Sequence, residues 1–232
     1  MKIYTDKRLL ACGLIGGTLS RHSGNMREIA NQEKIYKSLG MNPARVLHFH
    51  QTHSDKVIFI SSQNQAQELA EKPLVDADAW LLAPFPTGWG VAITTADCVP
   101  LFLWDDTATY AALAHCGWRG VVQGLPGKTA HALRQASPQG RLNAWIGPHI
   151  QACCFEVQED VSSQFTPDCI SHKNGKTFVD LNSAIKHQLL QAGLCANNIH
   201  VPYYCTCSDK ENFFSWRRDH EKNLLLSFLY KP

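Results

Sequence analysis

The sequence has no long apolar run. None of its hydrophobic stretches reaches the roughly 18 residues that span a bilayer as a helix, so no membrane partner is expected. It also lacks a charge imbalance: 22 Lys and Arg against 20 Asp and Glu leave a formal net charge of +2. That argues against the basic footprint that draws a protein to nucleic acid or anionic lipid. There is no internal repeat and no low-complexity tract, which sets aside solenoids and disordered tails. A secretory leader is not expected either. Leu9-Leu10-Ala11-Cys12 has the look of a lipoprotein cleavage box, but only MKIYTDKR precedes it. A signal needs an apolar stretch of about 7–15 residues there. A cytoplasmic location is the expectation.

What is present is ordinary globular composition: 232 residues, 44% hydrophobic and 18% charged. This length carries a substantial core, and residues 1–232 are read as a single domain. The polar stretch SSQNQAQELAEKP, 61–73, comes too early to divide two balanced domains and is expected as a surface excursion or short helix. Nine cysteines are many for the length. Their number is odd and their spacing irregular, with a Cys153-Cys154 pair and a Cys205-Thr206-Cys207 pair. Without a leader they are expected reduced, mostly as small buried apolar residues.

Strand patterns cover Arg45–His50, Lys56–Ser61, Ala79–Leu82, Gly90–Thr94, Val99–Trp104, Thr109–His115, Leu142–Ile146 and Leu224–Tyr230. Helical patterns cover Met26–Leu39, Pro126–Ala136, Val157–Phe165 and Leu181–Ala192. Gly193 follows the last as a stop. Strands in the middle with helices on either side predict an α/β (α+β) fold of mixed sheets and flanking helices.

One segment concentrates the chemistry: TTADCVPLFLWDDTATYAALAHCGWRG, residues 94–120. It reads as a hairpin turning at Asp106-Thr107. Paired residues would then sum to 213, placing Cys98 directly opposite His115. Directly opposed residues have Cβ atoms about 4.5–5.5 Å apart. A thiolate and an imidazole so placed can share zinc, with bonds of about 2.3 Å to sulfur and about 2.0 Å to nitrogen. A catalytic zinc has three protein ligands and an open position. The local source of the third is HFHQTHS, residues 48–54, where His48, His50 and His53 all qualify. A second reading makes Cys98 a nucleophile and His115 its base. Asp97 is a poor orienter for that pair, because adjacent residues on a strand point to opposite faces. Cys205 and Cys207 have no CxxC or HxxxH partner nearby and are not read as a metal clip.

The segments HQTHSDKV, DADAWL, TTADCVPLFLWD, AALAHCGWRGVVQG, AWIGPHIQACCFEV and CTCSDKENFFSWRRD occur in that order. Together they resemble the YfiH family of zinc-dependent purine nucleoside phosphorylases, also described as laccase-domain polyphenol oxidases and as the peptidoglycan editing factor. The resemblance runs from about Leu47 to the C-terminus. It implies zinc held by His53, Cys98 and His115, and it returns His48 and His50 to structural roles. It implies purine nucleosides and phosphate as small-molecule partners, with adenosine deamination and methylthioadenosine phosphorolysis as further activities. Cys98 and His115 would act through the zinc. Arg119, Arg217 and Arg218 are the candidates for phosphate, and Phe214 or Phe213 for stacking on the base.

The chain departs from the family pattern at three arginines. Leu14, Gln32 and Leu224 stand where the family has them, and a P-Y-x-S-L-N-L stretch is missing. Phosphorolysis is therefore expected to be weakened or redirected if those arginines bind phosphate or substrate. Three competing readings are a copper-dependent, laccase-like polyphenol oxidase, a Cys-His hydrolase, and a metal-stabilised binding protein without catalysis. The sequence leaves the oligomeric state open.

Overall fold

A computed structural model describes residues 1–232. Its architecture is mixed α/β, with two sheets packed face to face and helices outside each. No helix is long and apolar enough to cross a membrane.

The larger sheet has six strands in the order Ile199–His200, Leu142–Ile146, Val99–Asp105, Ala111–Cys116, Ala79–Leu82 and Val57–Ile60. The smaller has five: Ile3–Tyr4, Ile15–Leu19, Leu225–Lys231, Trp89–Thr95 and Val46–Leu47. Side chains alternate across a strand, and here the alternation sorts residues by size. Trp80, Leu82, Phe102, Trp104, Leu113 and Trp145 point between the sheets, where they meet Trp89, Val91, Ile93 and Leu229. Ala79, Leu81, Leu101, Leu103, Ala112 and Ala114 point the other way, under the helices Leu125–Ala136 and Leu181–Gln191. The small residues let the helices approach, and the aromatics fill the gap of about 10 Å between sheets. The outer face of the smaller sheet is covered by the helix Ile29–Ser38 through Ile35 and Tyr36.

The cysteines expected to be mostly buried are so only at Cys116, Cys169 and Cys205, and the helix expected over Val157–Phe165 shortens to Glu159–Ser162. Two expectations about the strands also need correcting. The hairpin does not turn at Asp106-Thr107. Ala111 pairs with Trp104 and His115 with Pro100, so paired numbers sum to 215 and Cys98 does not face His115. The turn is longer because Asp105 builds it: Oδ2 accepts from Thr107 Oγ1 at 2.6 Å and Oδ1 from Tyr110 N–H at 3.0 Å. The shift is two residues, so side chains keep their faces. The strand expected over Arg45–His50 is broken into a 3-10 turn at Pro43–Arg45, the pair Val46–Leu47, and His50–Gln51 paired in parallel with Asp76–Ala77. Phe49 drops into the core between these pieces, 4.9 Å from Trp80 between ring centroids.

This topology makes one site. Residues 96–98 carry the chain from the smaller sheet, ending at Thr95, into the larger, starting at Val99. His115 is the next-to-last residue of the neighbouring strand, and the loop after Gln51 passes the same end.

Candidate metal centre

The crossing between sheets explains where Cys98 sits. Asp97 takes a φ of 88°, so the chain bends sharply and Cys98 swings toward its neighbours. Its Sγ lies 3.7 Å from His53 Nε2. His53 also has a positive φ, 60°. The candidate ligand atoms of His53, Cys98 and His115 all lie within 4.8 Å of one another.

A buried carboxylate holds two of the three. Asp78 has no solvent exposure. Its Oδ1 accepts from His115 Nδ1 at 2.8 Å and from the His53 backbone N–H at 3.1 Å. Its Oδ2 accepts from the Ser54 N–H at 2.6 Å and the Ser54 hydroxyl at 2.8 Å. These donors are what keep a buried charge tolerable. Burial alone would raise the Asp78 pKa. The hydrogen bonds from His115 and Ser54 outweigh it and bring the carboxyl down to about 2. Because an ionised carboxylate only accepts, Nδ1 of His115 carries the proton, and Nε2 is the nitrogen left for the centre.

Electrostatics prepare the thiol. Burial pushes Cys98 up, but the charge and hydrogen bonds of His115, with those of His53, bring it well below the usual thiol range. His115 moves the opposite way: burial lowers it, while Cys98 and Asp78 raise it further. Without a metal the pair therefore favours thiolate and imidazolium; the thiolate is the form of cysteine that binds a metal, and a metal would take the place of the proton on His115 Nε2.

Gly117 makes room. Extending the hairpin register one step sets Gly117 opposite Cys98. A Cβ there would sit 2.5 Å from His53 Cδ2 and 3.3 Å from Cys98 Sγ. Only glycine leaves that space to the imidazole. The donors, their separations and the missing Cβ fit a metal ion with three protein ligands. The other two histidines of HFHQTHS are engaged elsewhere. His48 Nε2 pairs with the Tyr36 hydroxyl at 3.0 Å, and His50 Nδ1 with Asp76 Oδ1 at 2.9 Å.

The centre lies where two clefts meet. One, of about 440 Å³, includes Arg27, Gln51, Thr94, Lys222 and Leu224. The other, of about 330 Å³, includes Trp118, Arg119, Phe155, Leu181 and Arg217. His53, Cys98 and Trp216 line both.

The expected substrate residues divide. Arg119 is exposed, with its guanidinium 4.3 Å from the Trp118 ring centroid. Arg217 is half-buried, and Nη1 donates to the carbonyls of Glu156 at 2.7 Å and Cys154 at 3.2 Å. Both line the smaller cleft. Arg218, expected to meet phosphate, is turned away from it. Its Nε and Nη2 bind Asp219, and Nη1 and Nη2 reach the carbonyls of Thr206, Cys207 and Phe213, so all five N–H donors are spent. Phe214, expected to stack on a base, is 8% exposed and packs in the core under Arg21; Phe213 is fully buried. Neither lines a cleft at the centre.

Two residues escaped the sequence reading. Asp78 stands in DADAWL, and a carboxylate inside a buried strand run was the available signal. Trp216, two residues past Phe214, is 48% exposed at the junction of the clefts. Asp97 lines the smaller cleft, and its carboxylate is taken up by Thr206 Oγ1 at 2.6 Å, Ser215 Oγ at 3.0 Å and Arg217 N–H at 2.7 Å.

A family model described as multi-copper polyphenol oxidoreductase laccase matches residues 18–224. The chain belongs to that family. This laccase-family chain is 32% identical over 196 residues to a purine nucleoside phosphorylase of Xylella fastidiosa, covering 82% of this chain and 73% of that protein. It is 34% identical over 181 residues to the adenosine deaminase RL5 of an unknown prokaryotic organism, covering 72% and 68%. The crystal structure of the hypothetical protein YfiH of Bacillus licheniformis superposes with a TM-score of 0.82 at 22% identity, covering 94% of this chain and 93% of that one. That likeness shows the shared fold.

Proposed function

We propose that His53, Cys98 and His115 hold one zinc ion and that the chain is a purine nucleoside phosphorylase with adenosine deaminase capacity, working in the cytoplasm. The observation that carries this reading is the convergence of two imidazoles and one thiolate, backed by a buried carboxylate, at the meeting of two clefts. Zinc bound there would supply Lewis-acid polarisation of a purine or ribose oxygen. The rest of the work falls to the chain. Asp78 fixes the His115 tautomer and the His53 loop. Trp216 offers its indole face to the purine. Arg119 and the uncommitted N–H groups of Arg217 offer cationic donors to phosphate. In phosphorolysis a phosphate oxygen bonds to the ribose anomeric carbon as the carbon–nitrogen bond to the purine breaks. The electron pair leaves with the purine, which takes a proton from solvent.

The three departures from the family pattern weigh unequally. Leu14 is a fully buried core residue, and Gln32 binds the Met26 carbonyl through Nε2 at 2.6 Å. Leu224 alone lines a cleft at the centre, and Arg27 and Lys222 line the same cleft. Cationic groups therefore remain on both sides, which supports retained phosphorolysis.

Two alternatives lose ground on particular residues. Multicopper oxidation needs further imidazoles, yet His48, His50 and His149 are bound to Tyr36, Asp76 and the Gly147 carbonyl. A cysteine hydrolase gains an orienting group in Asp78, but it leaves His53, 3.7 Å from the thiol, without a role. The test is an assay of the zinc-loaded chain on inosine and adenosine, with and without phosphate. Hypoxanthine released only with phosphate supports phosphorolysis, and ammonia from adenosine without phosphate supports deamination. Neither product, or dye oxidation with copper alone, removes the reading.

A further inference from the structure

A second group of soft ligands stands apart from this centre. Cys153 and Cys154 lie in the tight turn after Gln151, whose carbonyl accepts from both Cys154 and Phe155 N–H at 2.9 Å. Cys205 comes from a segment more than fifty residues away. The two segments are zipped together: His149 N–H donates to Tyr204 O at 3.2 Å, and Thr206 N–H to His149 O at 3.0 Å. The result places Cys153 Sγ 3.5 Å from Cys154 Sγ and 3.6 Å from Cys205 Sγ, and all three sulfurs lie within 4.8 Å of one another. Cys207 adjoins Cys154.

These separations have a chemical meaning. Tetrahedral metal–sulfur bonds of about 2.3 Å hold neighbouring sulfurs roughly 3.8 Å apart, so the thiols already stand near the spacing of a shared ion. The backbone supports a thiolate as well. Gln151 N–H donates to Cys205 Sγ at 3.5 Å, a contact typical of metal-bound cysteine. No imidazole or carboxylate belongs to the group. An all-sulfur donor set selects thiophilic ions and rejects hard ones.

The geometry points to a second metal site: Cys153, Cys154 and Cys205 bind one thiophilic closed-shell ion, zinc or monovalent copper. Its place suggests its use. The carbonyl of Cys154 accepts from Arg217, which lines the smaller cleft at the first centre. Thr206, next to Cys205, binds Asp97, next to Cys98. An ion here would lock the turn at 151–155 against the segment at 204–207 and so brace the wall that carries Arg217. Cys153 is the exposed member and gives the ion a way in.

The test uses the full chain, reduced with a phosphine and held without oxygen. Wild type, Cys153→Ser and Cys98→Ala are each loaded with zinc, cadmium or monovalent copper and desalted. Metal equivalents and the ultraviolet thiolate-to-cadmium band are then read. Cys153 is exposed, so its replacement leaves the fold intact. Two equivalents on wild type and one on each variant are expected. The cadmium band retained by Cys98→Ala should be about threefold that retained by Cys153→Ser, reporting three thiolates against one. Zinc and copper arms that differ at Cys98→Ala identify the preferred ion. One equivalent on wild type with none on Cys98→Ala overturns the site. So does a Cys153–Cys205 disulfide that forms under mild oxidation with zinc or monovalent copper in excess.

Discussion

Two of the three cysteine-containing clusters, at Cys98 and at Cys153, Cys154 and Cys205, differ in what surrounds their sulfur. At Cys98 the thiolate shares its centre with two imidazoles, a buried carboxylate stands behind, and two clefts open on it. At Cys153, Cys154 and Cys205 the donors are all sulfur, and the cluster lines neither cleft. A catalytic metal needs a cleft that admits substrate, and of these two clusters the first lines such clefts. On that ground the proposed function puts catalysis at the first, and the proposed second site braces. The contrast also shows why cysteine count alone was uninformative: three of nine thiols form one cluster, one joins a different one, and their surroundings decide the role.

The largest effect should come from the first centre. Cys98→Ala or His115→Ala should lower nucleoside turnover by about 10³-fold or more, since the Lewis acid contributes several kcal/mol. Cys153→Ser should leave turnover within about twofold. Steady-state assays on zinc-loaded proteins check both, and equal losses would erase the contrast.

Asp78→Asn comes next. It keeps the shape behind His115 but removes the charge, and should weaken zinc affinity or activity by about 10–100-fold. Chelator competition at the first centre reads this loss, while the all-cysteine cluster should keep its ion. Gly117→Ala acts in the same place by sterics, because its Cβ would meet His53 at 2.5 Å. It should lower zinc affinity without changing the cadmium band of the three clustered cysteines.

Arg217→Gln tests the link between the two regions. It removes a charged donor worth about 1.5–3 kcal/mol. It should raise the KM for phosphate by about tenfold or more and change kcat less. An unchanged KM would place phosphate elsewhere.

Stability should also depend on pH, with a contribution from each side. His48 lies on the strand side of His53, and His149 anchors the cysteine turn. Burial lowers both, to about 4, with the Gly147 carbonyl opposing it at His149. A depressed histidine binds its proton more readily when unfolded. Each therefore adds stability that is fully present above about pH 6.5 and is lost as the pH falls toward 4. The loss is on the order of 3 kcal/mol per residue. Urea unfolding at pH 7 and pH 5 should show it, and His48→Gln should flatten the slope. An identical slope in that variant would rule out His48 as a source.

Much of this was legible before the fold was known. Ala79–Leu82 and Leu142–Ile146 have the same bounds in sequence and structure, because short apolar runs with clear flanks leave little choice. His53, Cys98 and His115 were named from their motifs, and the fold brings their ligand atoms together. The hairpin register was not legible. It depends on the Asp105 side chain satisfying the turn, which no apolar pattern records. The strand Ile15–Leu19 was passed over because Gly16-Gly17 weakens its pattern. Arg218 and Phe214 were chosen by residue type, and only packing shows that their groups are already spent. The second cysteine cluster joins residues with no spacing rule between them, so only tertiary structure reveals it.

One measurement bears most directly on the first centre. Hypoxanthine release from inosine is followed with and without phosphate for zinc-loaded wild type, Cys98→Ala and Cys153→Ser. The expected result is phosphate-dependent release by wild type and Cys153→Ser, with loss in Cys98→Ala. Undiminished release by zinc-free protein, or by Cys98→Ala, would contradict a catalytic zinc at His53, Cys98 and His115.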